Sequence, residues 1–336
     1  MLVFADSGEA GVGNYLYEET TQAGAHPSST NAFEGAFGFV GIGGGAFWAR
    51  KTFSTTYTEL YFSFWVKITS SVTCQLLSWW TSATELGSVR WNSTNKHLEI
   101  YTSTGTLRTT GTATIQPETL GGGWFNLNIR VLLHASTGVI DVRYNGDTSS
   151  DAIYTGNTLP SGSNMNQFLI GSFATGTPQT YDSLWVNDTS GGINDSWPGA
   201  VRASTQFPTG KSATNDAWTA DSGSNKFDRI NEQAASAANY IFSDNTGDKQ
   251  GFTYAAPPFV GTIKALVVSD IPLKISAGGI KQGVRSGGTD YPSSSKSVLT
   301  ALGRGVQLQH YLDQNPNGPA TWTTSDNPET YLEKTA

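Results

Sequence analysis

The chain has 336 residues, a formal net charge of −7 and 14% charged residues, against roughly 25% in an ordinary domain. An acidic chain without a Lys/Arg-rich run argues against binding of nucleic acid, which needs a clustered basic surface. The most apolar stretch, Phe37–Ala49, is short and full of glycine. We therefore expect no segment that spans a membrane.

The single cysteine, Cys74, excludes an internal disulfide framework and a cysteine-based zinc site. Its setting, VTCQLLSWW, predicts a buried small side chain rather than a reactive thiol. The first residues, MLVFADSGEAG, lack the basic region and the apolar stretch of a signal peptide. We expect a soluble protein that is made in the cytoplasm and is not secreted by a signal peptide.

Alternating apolar and polar residues predict β-strands through the first part of the chain. In Leu60–Ile68 and in Phe125–Leu133 every second side chain is apolar, so each stretch has one apolar face. Asn145-Gly146 suits the positive φ angles of a two-residue hairpin turn. Further strands are predicted, in chain order, at Ser88–Trp91, His97–Tyr101, Leu107–Ile115, Gly138–Tyr144, Gln167–Phe173 and Tyr181–Val186. Because no apolar pattern of period 3.6 persists, the pattern predicts an all-β sandwich.

The composition and the alternation of apolar residues change near residue 200, where we place a domain boundary. Ser204–Asn225 is polar and rich in turn residues, without clean alternation. The predicted domains are residues 1–200, a β-sandwich, and residues 201–336, a smaller β-rich assembly domain with a polar C-terminal tail. Strands of the second domain are predicted at Asn239–Phe242, Phe259–Val268, Leu273–Ile275, Ile280–Arg285 and Val306–Leu312.

Catalytic signatures are absent from the sequence. The four histidines are scattered, and neither a GxSxG nucleophile motif nor a Cys–His context occurs. A glycosidase needs two carboxylates that face the sugar, whereas the predicted strands carry isolated acids, which are typical of a solvated face. We predict no catalytic residue; a glycoside hydrolase or lyase is the least favoured alternative. The isolated acids are Glu59, Glu99, Asp141 and Asp182.

Tryptophans suggest a binding function without cleavage. Trp79, Trp80 and Trp91, with Tyr101 and Trp124, offer ring faces on which a saccharide can stack. The alternative is that most of these rings fill the core of the sandwich.

One cluster of oxygen-bearing side chains follows the strand that begins at Tyr181. Asn187, Asp188 and Asp195 are candidate calcium ligands, because calcium takes six to eight oxygens. The DxDxDG spacing is missing, however, and Asn, Asp and Gly are also the residues of an Asx turn at a strand end. The turn is the favoured interpretation, and no other cofactor is predicted.

Several stretches of the chain resemble one family. Leu127–Ile153 and residues 181–203 resemble the concanavalin-like (laminin-G-like) jelly-roll module of tailed-bacteriophage virion proteins. Asn245–Phe252, Val284–Tyr291 and Asp313–Thr323 are similar to successive pieces of the second β unit of those proteins. One departure is Gly199-Ala200-Val201-Arg202, where the family has Gly-Asp-Val-Arg, so a role for an acid at that position is in doubt.

The resemblance implies a jelly-roll fold for residues 1–200 and a structural place in the virion, assembled in the host cytoplasm, rather than catalysis. Head decoration, tail and fibre remain open. The implied partners are copies of the same chain and other virion proteins, contacted through the second domain; the alternative is an adhesin for host-surface glycans. Phe259–Val268, flanked by prolines that block a strand edge, is either part of that interface or a central core strand.

Overall fold

A computed structural model describes most of the chain. The described residues are 1–6, 19–20, 25–28, 32–33, 38–41, 47–69, 72–82, 84–116, 123–159, 162, 164–172, 179–223, 225–230, 239–256, 262–270, 278–297, 308–318, 320–323, 325–326 and 328–335. They form two compact units, Met1–Ser204 and Thr205–Ala336; the sequence analysis placed the boundary near residue 200. Of the described helices, none is long and apolar enough to cross a membrane.

Antiparallel strands build the first unit. They are β1 (Leu2–Asp6), β2 (Glu19–Thr20), β3 (Ala25–Ser28), β4 (Gly38–Gly41), β5 (Phe47–Tyr57), β6 (Glu59–Ile68), β7 (Cys74–Thr81), β8 (Thr84–Trp91), β9 (Leu98–Thr102), β10 (Thr106–Thr110), β11 (Trp124–Leu132), β12 (Gly138–Tyr144), β13 (Ala152–Gly156), β14 (Met165–Ser172) and β15 (Gln179–Asn187). A single 3-10 turn, Ser103–Gly105, joins β9 to β10.

Two sheets face each other and share one apolar layer. The eight-stranded sheet has the order β13-β12-β11-β6-β15-β4-β3, with β1 also paired to β15, and the seven-stranded sheet has the order β10-β9-β8-β7-β14-β5-β2. Alternate side chains of both sheets enter the layer, for example Phe62 and Phe64 from β6 and Trp79 from β7. The first unit is the jelly-roll sandwich that the sequence analysis predicts, and Cys74 is buried within its core.

The chain that leaves β15 covers the other side of the eight-stranded sheet. We call residues 196–203 the strap. Its carbonyl oxygens accept hydrogen bonds from the Ser63 hydroxyl (2.7 Å, to Gly199) and from the Trp65 indole (2.9 Å, to Val201). The strap's Trp197 ring lies 5.5 Å from the Tyr61 ring and under the Arg143 guanidinium, at 3.7 Å. The strap therefore satisfies polar groups that the sheet turns away from the core.

Two local predictions in this unit are wrong. Asn145 and Gly146 do have positive φ angles, 51° and 81°, but residues 145–151 separate β12 from β13, so the turn is not a two-residue hairpin. Leu107–Ile115 is not one strand, since β10 ends at Thr110. Asp151 explains both differences. Its carboxylate accepts the N–H groups of Thr112 (3.0 Å) and Ala113 (2.6 Å), and so connects the loop before β13 to the loop after β10.

The second unit is a smaller β structure. Its strands are β16 (Gly210–Asp216), β17 (Thr219–Ala220), β18 (Ile241–Phe242), β19 (Lys249–Thr253), β20 (Leu266–Asp270), β21 (Gly279–Ser286), β22 (Thr289–Pro292), β23 (Lys296–Ser297), β24 (Leu308–Leu312) and β25 (Glu329–Thr335), with a 3-10 turn at Phe227–Arg229. Five strands form the sheet β16-β19-β25-β21-β22, with β23 added on β21, and β17–β18 and β20–β24 form separate ladders. A small core contains Val268, Val284, Leu312 and Trp322.

Sequence patterns were poorer guides to this second unit. Phe259–Val268 is not one long strand, and its described part is not a central strand, because β20 pairs only with β24 among the described strands. Strand β16 lies in the stretch where no alternation was seen, since polar side chains occupy both of its faces. Leu273–Ile275 lies outside the described residues.

We predict that residues 1–204 fold alone, because the apolar layer and the strap both belong to them. Circular dichroism should show a β-rich spectrum with one cooperative thermal transition. Residues 1–195, which lack the strap, should unfold at a lower temperature, since Tyr61, Ser63 and Trp65 lose their cover. A disordered or helical spectrum for residues 1–204, or equal transition temperatures for the two fragments, would contradict the prediction.

Candidate functional site

The seven-stranded sheet turns a row of polar and aromatic side chains away from the core. We call this side the outer face. Along β7, β8, β9 and β14 the side chains of Leu77, Val89, Ile100 and Phe168 enter the apolar layer, so their alternate neighbours point outward. The outer face carries Arg50 on β5, Gln75, Ser78 and Trp80 on β7, Glu85, Ser88 and Arg90 on β8, Glu99 and Tyr101 on β9, and Gln167 on β14.

Two serines form the floor of the outer face. Ser78 and Ser88 are directly opposite each other on β7 and β8, and both are fully buried. The Trp80 indole donates to the Ser78 hydroxyl at 2.8 Å. Trp80 is half-buried, and its polar edge is bonded within the sheet.

Arg90 is held in place from two sides. Its Nε donates to the Ser88 hydroxyl at 3.3 Å, and its guanidinium lies 4.1 Å from the centroid of the Tyr101 ring. Its two terminal nitrogens make no hydrogen bond to any described residue. Arg90 thus presents two charged donors in a fixed position.

Glu99 supports the ring on which Arg90 stacks. Its carboxylate accepts the Tyr101 hydroxyl at 2.7 Å, and the side-chain amides of Asn92 and Asn95 at 2.8 and 3.1 Å. Burial and this carboxylate raise the pKa of Tyr101, so the phenol stays neutral and remains a donor. Glu99 therefore acts as a positioning group within the sheet.

Glu85 is the second acid of the outer face, and it lies opposite Trp80. Burial raises the pKa of Glu85 above its ordinary value, while the Ser88 hydroxyl and the Arg90 guanidinium lower it in part. An acid kept in an environment that disfavours its charge is a common mark of a functional site.

Two amide side chains on the outer face keep unused hydrogen-bonding atoms. Gln75, directly opposite Arg90, is 7% exposed, and its Nε2 donor is buried without a partner. Gln167 lies opposite Trp80, and its Oε1 acceptor is also buried without a hydrogen-bond partner. Buried polar atoms are rarely left unpaired, so the outer face offers one free donor and one free acceptor to a ligand.

Of the three candidate stacking tryptophans, the structure leaves one. Trp79 and Trp91 are 0% and 1% exposed and belong to the core, because the alternation of β7 and β8 turns both rings inward. Their assignment as saccharide platforms is wrong. Trp80 lies on the outer face, and so does Tyr101, whereas Trp124 lies on β11 of the other sheet and contacts Phe33 at 5.6 Å.

The candidate calcium ligands form a turn. The Asn187 side chain accepts from the Trp185 indole at 2.6 Å and donates to the Ser196 carbonyl at 2.9 Å. Asp188 accepts the N–H and the hydroxyl of Ser190 at 2.9 and 2.7 Å, and Asp195 shares no hydrogen bond with either. Within the described part of the chain no three His, Cys, Asp or Glu side chains converge on a metal position. Asp188 forms an Asx turn with Ser190, whereas Asn187 is the last residue of β15.

Sequence reasoning missed Gln75, Glu85, Arg90 and Gln167. The alternation signal was present, since Ser88 and Arg90 alternate with Val89 and Trp91. However, an extra residue interrupts β7 between Gln75 and Leu77, and a second extra residue, Leu86, interrupts β8 opposite Trp79–Trp80. Each bulge changes which residues face outward, so the face of Trp80 and Glu85 does not follow from counting.

Comparisons with known proteins show resemblance in fold only. No family model and no curated protein matches the chain. One similar solved structure is an alginate lyase of polysaccharide lyase family 7, with 16% identity, a TM-score of 0.35 and coverage of 50% of this chain and 84% of that chain.

Two more structures cover 55% of this chain and 94% of theirs. One is the CBM2 module of the evolved Dit of Lactobacillus casei BL23 phage J-1, with 11% identity and a TM-score of 0.34. The other is a Bacillus subtilis protein of unknown function with a galectin-like fold, with 6% identity and a TM-score of 0.37. At such low values these likenesses carry no argument about what this chain binds.

We predict that Glu85→Gln stabilises the protein at neutral pH. Because the pKa of Glu85 is raised in the folded state, the unfolded chain loses its proton first as the pH rises above about 4.3. Stability contributed by the protonated carboxyl is therefore lost as the pH rises through the folded pKa. Thermal unfolding should show a higher midpoint for Glu85→Gln at pH 7 and no difference below about pH 4.

Glu59→Gln provides the matched control, because Glu59 pairs with Arg130 at 2.6 Å and its loss should lower the midpoint at pH 7. A Glu85→Gln variant that is less stable than the parent at pH 7 would show that the Glu85 charge supports the fold.

Proposed function

We propose that the protein is a non-enzymatic carbohydrate-binding component of a tailed-phage particle, which binds saccharides on the outer face. The observation that carries the proposal is the arrangement of Trp80, Glu85, Arg90 and Gln167 over the serine floor. A saccharide presents an apolar ring face and a rim of hydroxyls, and this surface offers an indole face beside fixed donors and acceptors.

The same geometry argues against cleavage of the bound sugar. Glycosidases need two carboxyl groups in separate roles, one on each side of the scissile bond. On the described outer face, Glu99 is occupied by Tyr101, Asn92 and Asn95, which leaves Glu85 alone. One free carboxyl supports binding of hydroxyl groups rather than hydrolysis.

Resemblance to phage virion proteins supports the setting in a particle, and an exposed aromatic pair supports assembly through the second unit. Tyr240 and Phe242 are 39% and 40% exposed, and their ring centroids lie 6.1 Å apart. Exposed aromatic pairs are enriched where proteins meet. We therefore propose that copies of the chain, or other virion proteins, contact the second unit at β18 while the first unit binds glycans.

Trp80→Ala should abolish the stacking contact. We expect saccharide affinity to fall about tenfold or more, since stacking of a sugar on an aromatic ring depends on the whole ring face. A glycan array identifies a ligand, and calorimetry measures its affinity for the parent and the variant. Trp124→Ala, on the opposite sheet, is the matched control and should bind like the parent. Equal loss in both variants, or no saccharide bound by the parent, refutes the proposal.

Light scattering tests the assembly. The full chain should self-associate, and Phe242→Lys should reduce the association because it places a charge in the aromatic pair. Ile153→Lys, which alters an exposed apolar residue of the first unit, should leave the association unchanged. A full chain that stays monomeric at high concentration and binds no particle that lacks it would end this part of the proposal.

A further inference from the structure

We propose that the saccharide of the outer face is acidic, and that Arg90 and Gln75 bind its carboxylate. This inference rests on the proposed function and names the ligand class of the same site. Gln75 and Arg90 are directly opposite each other on β7 and β8. The amide nitrogen of Gln75 and the terminal nitrogens of Arg90 are therefore neighbouring donors that make no hydrogen bond to a described residue. Side chains opposite each other in a sheet have Cβ atoms about 5 Å apart, so both reach the same ligand group.

The state of Arg90 favours an anion. The Tyr101 ring and the Ser88 hydroxyl already hold the guanidinium, so little side-chain entropy remains to be lost on binding. Its terminal nitrogens are free among the described residues, and they form a planar fork that matches the two oxygens of a carboxylate. The nearest acid of β9, Glu99, directs its lone pairs to three donors of its own.

Gln75 adds a second and independent observation. Its side chain is more than nine-tenths buried, yet its amide nitrogen has no acceptor. A buried donor without a partner is costly, and an acceptor supplied by a ligand removes that cost. The ligand group that suits Gln75 and Arg90 together is therefore an acceptor with negative charge.

The row of Gln75 and Arg90 is one end of a longer site. Arg90 and Glu85 are five positions apart on β8, with an extra residue at Leu86 between them, and Glu85 lies opposite Trp80. At about 3.3 Å per residue, the two ends of the site are roughly 13–16 Å apart. A sugar ring stacked on Trp80 and a carboxylate on Arg90 consequently belong to different units of one oligosaccharide. The hydroxyls between them face Ser78, Ser88 and Glu85.

An acidic ligand also links binding to a proton. A carboxylate bound to Arg90 offsets the guanidinium charge that lowers the pKa of Glu85. The ionised form of Glu85 then becomes less favourable, so binding takes up a proton at Glu85. Affinity should then increase from pH 7 to pH 5, where a uronate remains ionised. Ser88 and Arg90 on its own strand interact with Glu85, and Trp80 on β7 lies opposite it, with Gln167 of β14 beside Trp80. The other charged or titratable groups of the outer face are Glu99 and Tyr101 on β9 and Arg50 on β5.

The test uses the full chain and calorimetry with three probes. They are a glucuronic-acid oligosaccharide, its methyl ester, and a sulfated oligosaccharide that contains no uronic acid. We expect the acid to bind and the ester and the sulfated probe to bind at least tenfold more weakly. Arg90→Lys and Gln75→Leu should each weaken binding of the acid about tenfold to hundredfold, the range for a hydrogen bond to a charged group. Each should weaken binding of the ester by a smaller factor, because the ester lacks the charge.

Arg108→Lys is the matched control, because Arg108 lies 5.5 Å from the Tyr154 ring and donates to Thr102 at 2.7 Å but has no place in the Gln75–Arg90 row. Circular dichroism establishes that each variant is folded. Glu85→Gln should remove the dependence of acid binding on pH between 7 and 5, which a purely structural role of Glu85 would not do.

The outcomes separate the two proposals. Equal affinity for acid and ester, or an Arg90→Lys variant that binds the acid like the parent, overturns the carboxylate site; the proposed function then still stands if Trp80→Ala weakens binding of the ester. A sulfated probe that binds as tightly as the acid overturns the assignment to a carboxylate. If no probe binds and the glycan array is empty, both proposals fail.

Discussion

The apolar layer between the two sheets of the first unit determines what every other side chain there can do. A strand that supplies Phe62 and Phe64 to the layer must turn Ser63 and Trp65 the other way, because successive side chains of a strand point to opposite faces. The outer sides of both sheets are therefore consequences of core packing. The polar groups placed there need partners of their own.

The two sheets meet that need in different ways. The eight-stranded sheet receives the strap, whose backbone accepts the hydrogen bonds of Ser63 and Trp65. On the seven-stranded sheet, the described side chains bond to one another, as Trp80 does to Ser78 and Arg90 to Ser88. The strap thus covers part of the eight-stranded sheet, whereas on the described seven-stranded sheet Gln75 Nε2 and Gln167 Oε1 have no partner.

The unused groups reduce the stability of the first unit. Glu85 has a pKa raised by burial, and the amide nitrogen of Gln75 is buried without an acceptor. Natural proteins depart from local rules of packing and hydrogen bonding mainly at functional sites. Gln75 and Glu85 lie on the neighbouring strands β7 and β8. Buried polar atoms without a partner also occur elsewhere, for example at Asn128 on β11 and Gln250 on β19, so the outer face is distinguished by the combination of such atoms with Trp80 and Arg90.

Sequence alone determined the all-β class, the long strands of the first unit and the turn character of Asp188, because alternation and turn composition are local properties. It did not determine which tryptophans are exposed: Trp79 and Trp80 are neighbours in sequence, yet only Trp80 is outside the core. The bulge in β7 between Gln75 and Leu77 and the pairing of β7 with β8 and β14 decide that difference. The meeting of Gln75 with Arg90 is likewise a matter of register between strands, which no local pattern specifies.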